Sequence, residues 1–191
     1  MRSFDRPTGS GSFAGMKRFV PAFLGLLLVA ASASAADSAA FEVGGLKFTK
    51  PATWKSVEPS SPMRKAQLSV PNKDGKGDGE VLFFHFGPGN AGGTQANVDR
   101  WFGQFAEGKD KIGTKSEEKT IGKTKVVFVR AEGTYRSGMP GGPQTPLSDY
   151  GLRGAIIEAE GGSIFIRMTA PKVLAASAEA EFKAMVEASV K

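Results

Sequence analysis

Cysteine is absent from the 191-residue chain, and histidine occurs once, as His85. Without cysteine there are no disulfides, no lipid-modified lipoprotein anchor and no thiolate metal site, so stability has to come from packing alone. With one histidine, a zinc site would need several carboxylates, and the sequence shows no suitable spacing. No internal repeat of solenoid or propeller period is present, and those architectures are therefore excluded.

Long apolar runs are also scarce, and the most pronounced lies near the N-terminus. A basic MKR triplet beginning at Met16 precedes an apolar stretch over residues 19–31, and the small-residue pattern ASASAA follows. This pattern is typical of a signal peptide, and the stretch is shorter than the roughly 20 residues that span a bilayer. We predict that residues 1–35 are a signal peptide, with Met16 as an alternative start. Ala36 is then the first residue of an exported protein, periplasmic or extracellular, without an integral membrane anchor after cleavage.

The net charge gives little reason to expect nucleic-acid binding. The whole chain carries 25 basic and 19 acidic residues, a formal net charge of +6. The leader holds four of those basic residues and one acidic residue, so the net charge of residues 36–191 is +3. Since the excess of positive charge belongs partly to the leader, we predict no nucleic-acid partner for the mature chain.

Turn residues and apolar periodicity predict one α+β domain over residues 36–191. Adjacent strands joined by short turns indicate a largely antiparallel sheet, with helices packed against it. One predicted helix begins at a capping Thr94 and ends at Gly108, and the other begins at Pro171. The predicted strands are a pair within 41–50, then 66–70, 80–86, a short strand around Thr120, 126–135, and a hairpin of 152–159 and 163–169 around Gly161-Gly162.

Two glycine-rich stretches are predicted loops. GPGNAGGT, Gly87–Thr94, is one residue away from a phosphate-binding loop, but Gly93 replaces the lysine and Pro88 removes one backbone N–H. We therefore predict that it turns the chain through glycines with positive φ. Gly138–Tyr150 contains three prolines and three glycines, which predicts irregular structure in a loop of functional length.

A family resemblance follows from GLKFTKPATW, with its aromatic strand, its proline and Trp54. Together with the later apolar strand, aromatic helix, hairpin and terminal helix, it resembles the Mog1/PsbP-like group. FGPGNAGGTQANVDRWFGQF and GAIIEAEGGSIFIRMTAPK resemble uncharacterised exported bacterial proteins of that type. The resemblance implies an α/β/α sandwich and an accessory or binding role, generally without catalysis. Function varies widely on one fold, so this implication is by analogy.

No catalytic or metal-binding pattern is complete. NKDGKGDGE, from Asn72 to Glu80, lacks two ligand positions of a calcium loop and favours a solvated hairpin turn. His85 lies within an apolar strand without a nucleophile elbow, which favours a structural role. Glu158 and Glu160 share one strand face if the strand extends that far, and a hairpin end explains them better than acid–base work. We predict no cofactor, no metal site and no catalytic residue.

The leading functional hypothesis is a non-catalytic accessory or binding module of the bacterial envelope, with another envelope protein as its partner. The alternatives are a small-molecule or lipid carrier with a pocket between helix and sheet, and an envelope hydrolase built on His85. Trp54 is a core candidate that also suits a surface anchor. The two glycine-rich loops supply the other candidate contacts. The predicted binding residues are Trp54, Gly89, Asn90, Met139, Leu147 and Tyr150.

Overall fold

Seven antiparallel strands form the main sheet of the computed structural model, which describes residues 39–138 and 142–191. Their order across the sheet is β3-β4-β5-β9-β8-β7-β6, and β1 and β2 pair in a separate two-stranded sheet. The predicted signal peptide lies outside the described residues. The elements are β1 Ala40–Val43, β2 Leu46–Thr49, β3 Lys55–Val57, β4 Arg64–Val70, β5 Gly79–His85, α1 Thr94–Phe102, β6 Lys115–Ile121, β7 Thr124–Gly138, β8 Gln144–Glu158, β9 Ile164–Pro171 and α2 Lys172–Ser189.

The sheet has a hydrophobic cluster on each face, because alternate side chains of a strand point to opposite faces. The α2 cluster lies on one face and joins Phe182 and Met185 of α2 to Phe83 and Phe128 of the sheet. The other face carries the α1 cluster, which contains Trp101 and its neighbours in α1. This arrangement confirms the α+β class, the largely antiparallel sheet and the placing of helices on both of its faces.

Several predicted elements occur where the sequence placed them. β1 and β2 form the pair within 41–50, and β5 is an interior strand, as its continuous apolar run predicted. β8 and β9 form the hairpin around Gly161-Gly162, and α2 begins directly after Pro171. The Asn72–Glu80 segment is the turn between antiparallel β4 and β5.

Helix α1 is shorter than predicted and is capped differently. It ends at Phe102 rather than Gly108, because the next residues pair with the edge of β7: Arg136 donates to the Gln104 carbonyl and Ala106 to that of Thr134, at 2.8 and 2.9 Å. The N-cap is Gly93, without a side-chain capping bond. Thr94, the predicted cap, is instead the first helical residue and donates to Glu158 at 2.6 Å.

The prediction of irregular structure over Gly138–Tyr150 was wrong for residues 144–150, whereas residues 139–141 lie outside the described residues. Residues 144–150 belong to β8, where they pair with residues 133–138 of β7. The pairing is interrupted by a bulge between Gly133 and Tyr135. Asp149 adopts a φ of 54°, which an L-residue rarely adopts. Long-range pairing with β7 therefore outweighs the turn preferences of the prolines. We call residues 134–138 and 144–149 the arm.

Two smaller predictions also need correction. β6 is a full strand of seven residues, Lys115–Ile121, and not a short strand around Thr120. Its charged sequence concealed its length, since edge strands carry charges that oppose aggregation. β8 ends at Glu158, so Glu160 lies in the turn and the two carboxylates do not share a strand face.

Gly154 lets α1 approach the sheet closely. A Cβ at this position would lie 2.5 Å from Cζ3 of Trp101 and 2.7 Å from Cγ2 of Val129. We expect Gly154→Ala to lower the free energy of unfolding by about 1–3 kcal/mol through overpacking. Gly161→Ala is the matched control, because its Cβ would meet only the Gly44 carbonyl oxygen, at 3.8 Å, and we expect a change within about 0.5 kcal/mol. Urea unfolding measures both, and equal effects would contradict this close packing.

Candidate functional site

The predicted binding residues do not share one surface. Trp54 is 2% exposed in the α2 cluster, and its indole Nε1 donates to Glu181 of α2 at 3.2 Å. Leu147 and Tyr150 pack against the α1 cluster on the opposite face of the sheet. Of the two roles considered for Trp54, the structure shows the packing role. Met139 lies outside the described residues.

The loop before α1 turns the chain as predicted. Gly87, Gly89 and Gly92 have φ values of 76°, 72° and 71°, in the region that favours glycine. The loop also packs closely on the β8–β9 turn, since a Cβ on Gly162 would lie 2.5 Å from the Gly87 carbonyl carbon. Gly89 and Asn90 are exposed. The strand before the loop has antiparallel neighbours, so the parallel context of a phosphate-binding loop is not formed.

His85 has a structural contact at the end of β5. Its Nε2 lies 2.9 Å from the carbonyl oxygen of Gly161, and since a carbonyl only accepts, Nε2 must carry the proton. The ring also packs against Gly44, where a Cβ would lie 2.9 Å from Cδ2 of His85. Within residues 39–138 and 142–191, no hydroxyl or carboxylate side chain hydrogen-bonds this ring. The described residues therefore give the hydrolase alternative no hydrogen-bonded nucleophile or acid at His85.

The carrier alternative requires a large apolar cavity. Two recesses in the described residues do not have that character. A recess of about 180 Å³ between α2 and strands β6–β8 is lined mainly by charged side chains. The other, of about 420 Å³, is a surface groove beside Trp54 and the β4–β5 turn, with Val173 76% exposed. Neither supports a lipid-sized apolar interior. We call the first recess the α2 groove.

A buried ion-pair network forms one wall of the α2 groove. Arg153 of β8 is 2% exposed, and each nitrogen of its guanidinium has a hydrogen-bond partner. Its Nε donates to Glu179 of α2 at 2.6 Å, its Nη2 to Glu132 of β7 at 3.0 Å, and its Nη1 to the Leu152 carbonyl at 3.1 Å. Burying this charge is tolerated because two carboxylates and a carbonyl compensate it.

The network continues along α2 to the outer strands. Lys183 pairs with Glu117 of β6 at 3.1 Å and with Glu179 at 3.6 Å. Its ammonium also lies 5.5 Å from the centre of the Phe128 ring, which forms part of the groove. The pKa of Glu117 lies below its ordinary value, and the hydrogen bond from Lys183 is the largest cause.

Sequence reasoning missed this groove. Its charged residues are far apart in the chain and come together only through the strand register and the position of α2. The available signal was charge at every second position, in Lys115, Glu117 and Lys119 of β6 and in Arg130 and Glu132 of β7, because every second side chain of a strand shares a face. Without knowledge of which strands are neighbours, that alternation does not identify a site.

Glu132 is expected to make stability depend on pH. Burial raises its pKa, but hydrogen bonds from Lys172 and Arg153 outweigh burial, so the pKa lies below the ordinary value of 4.5. The pairing stabilises the folded state at pH values above 4.5. This contribution is lost as the pH falls through the lowered pKa of the folded state. We expect Glu132→Gln to cost about 1–2 kcal/mol at pH 7, because it breaks charge-assisted bonds of a partly exposed group.

In the same variant, the free energy of unfolding should also depend less on pH below pH 4.5. Urea unfolding at pH values from 7 down to about 3 measures both effects. Glu160→Gln is the control, because Glu160 is exposed and forms no ion pair with the described residues. If both variants kept the wild-type acid dependence, the coupling of Glu132 to folding would be refuted.

The comparisons with known proteins find similar solved structures but no matching family model and no matching curated protein. A protein of unknown function from Pseudomonas aeruginosa is 10% identical, with a TM-score of 0.43 over 78% of this chain and 92% of that chain. The cyanobacterial PsbP protein of Synechocystis is 12% identical, with a TM-score of 0.48 over 83% and 95%. In the described residues, neither helix has the length and apolarity to cross a membrane. A PsbP protein, from the group that the sequence resembles, is thus among the solved structures similar to this chain.

Proposed function

We propose that this protein is a non-catalytic accessory module of the bacterial envelope that binds another envelope protein through its arm. The observation that carries the proposal is how the arm is built. It continues the β7–β8 hairpin beyond the neighbouring strands, since β6 pairing stops at Arg130 and β9 pairing stops at Tyr150. The outer edge of β8 from Gln144 to Asp149 therefore has no partner strand among the described residues.

One side of the arm is anchored to the protein. Tyr135 and Leu147 are cross-strand partners, and both pack on the α1 cluster. The Tyr135 ring is 6% exposed and lies edge-on to Phe105, with centroids 5.6 Å apart. Its hydroxyl donates to Gln104 at 3.2 Å, and burial raises its pKa. These contacts hold the arm in a fixed position, which lowers the entropy cost of binding.

The other side of the arm is available for contact. Gln144, Pro146 and Ser148 are exposed and alternate along β8, so they share a face opposite to Leu147. Pro146 limits pairing of this edge with strands of other molecules, because it lacks an N–H donor. An ordered, polar, solvent-facing surface of this kind suits a protein partner better than a small ligand. It contains Gln144, Pro146 and Ser148.

Location in the envelope rests on the sequence of the leader. The basic start, the short apolar stretch and the small-residue pattern over residues 16–35 support export, and the absence of cysteine agrees with a fold stabilised by packing alone. The leader and the arm are independent observations. Evidence against either one leaves the other unchanged.

The proposal is tested by affinity capture from bacterial envelope extract with the tagged protein as bait. We expect a specific partner to be captured by the wild type and weakened about tenfold or more by the double variant Gln144→Lys, Ser148→Lys, because two charges then enter the contact. The variant should stay folded, since both side chains are exposed. Replacing the whole 138–150 segment is unsuitable, because it would remove Leu147 and Tyr150 from their packing.

A matched control adds the same two charges elsewhere. Ser56→Lys, Ser60→Lys changes exposed residues in and after β3, at the opposite edge of the sheet, and should leave capture unchanged. Equal loss in both double variants would show a general charge effect and contradict a role of the arm. Failure of the wild type to capture any specific partner at low salt would contradict the binding module itself.

A further inference from the structure

Three basic residues form a row across β6, β7 and β8 in the α2 groove. Lys115 is the Cα partner of Arg130, and Arg130 is the Cα partner of Arg153. All three line the groove on the α2 face of the sheet. Neighbouring strands lie about 4.8 Å apart, and like charges directly opposite one another are destabilising. The row therefore needs negative charge close to it.

The protein supplies only part of that charge. Glu179 lies 2.6 Å from Arg153, 3.6 Å from Lys183 and 4.0 Å from Arg130. Arg153 and Lys183 each have a second carboxylate, Glu132 and Glu117 respectively, at 3.0 and 3.1 Å. Arg130 has no closer partner, and Lys115 forms no ion pair in the part of the chain that the structure describes. The positive charge is thus compensated at the Arg153 end of the row and left over at the Lys115 end.

The lining of the groove has the same imbalance. Its basic side chains are Lys115, Arg130, Arg153 and Lys183, and its acidic side chains are Glu117 and Glu179. Arg153 and Lys183 have close carboxylate partners, so Arg130 and Lys115 are the weakly compensated cations of the groove. The recess has a volume of about 180 Å³, which is below the roughly 300–1,000 Å³ of typical drug-sized ligand pockets. A small dianion matches both the charge and the size. The Arg130 side chain is 38% exposed, so a solute can reach it.

We propose that the α2 groove binds a phosphate group between Arg130 and Lys115. A guanidinium offers paired N–H donors that match two oxygens of a phosphate, and an ammonium adds a point charge. Buried Arg153 does not bind the phosphate, because its donors stay on Glu179, Glu132 and the Leu152 carbonyl. The phosphate can belong to a soluble molecule or to a lipid headgroup. This site is independent of the arm and of the partner proposed for it.

The first test is calorimetric titration of the full chain with inorganic phosphate at constant ionic strength. We expect saturable binding with a Kd near or below about 1 mM, and a higher thermal midpoint in phosphate than in chloride. Arg130→Gln and Lys115→Gln should each weaken binding at least about fivefold, and the double variant should abolish it. Both variants relieve like-charge repulsion, so they should unfold no more easily than wild type without phosphate.

The matched control is Lys111→Gln, which removes an equal charge at an exposed residue outside the groove and should bind as wild type does. In a second experiment, the protein is sedimented with vesicles of phosphatidic acid in phosphatidylcholine and, for comparison, with vesicles of phosphatidylcholine alone. Phosphate binding that requires Arg130 assigns a soluble ligand. Sedimentation that requires Arg130, without phosphate binding, assigns a headgroup. Absence of both, or equal loss in Lys111→Gln, overturns the site.

Discussion

A guanidinium that is almost completely buried constrains the arrangement of three elements. Arg153 belongs to β8, and its two carboxylate partners come from β7 and α2. An arginine buried here without its carboxylates would be an uncompensated charge, which costs about 3–5 kcal/mol. The position of α2 that brings Glu179 to Arg153 is therefore favoured over positions that leave this charge unpaired.

The groove is a consequence of that position. α2 packs over the middle of the sheet and against β2, with Phe182 and Met185 in the α2 cluster. The start of β6 at Lys115 and the middle of β7 at Arg130 then line the recess beside the helix. Their basic side chains line a recess that Glu179 compensates only in part. The residue that fixes the helix thus also determines where uncompensated positive charge remains.

The sequence predicted elements whose signals are local and missed those that depend on distant pairing. The apolar run of β5 and the Gly161-Gly162 turn are both local patterns. The arm is different, because Pro146 and its neighbours read as a loop until β7 is known to lie beside them. α1 ends early for a similar reason, since residues 104–106 bond to β7. The groove was missed because Lys115, Arg130 and Arg153 meet only through strand register.

β8 serves both proposed sites by the alternation of its side chains. Arg153 points to the α2 face and closes the groove, whereas its neighbour Gly154 lies under Trp101 on the α1 face. Farther toward the N-terminal end of the same strand, Leu147 anchors the arm on that α1 face. The groove and the contact surface of the arm therefore occupy different stretches of β8, around Arg153 and over residues 144–148. Any influence of one on the other must pass through β7 and β8, the strands that both sites share.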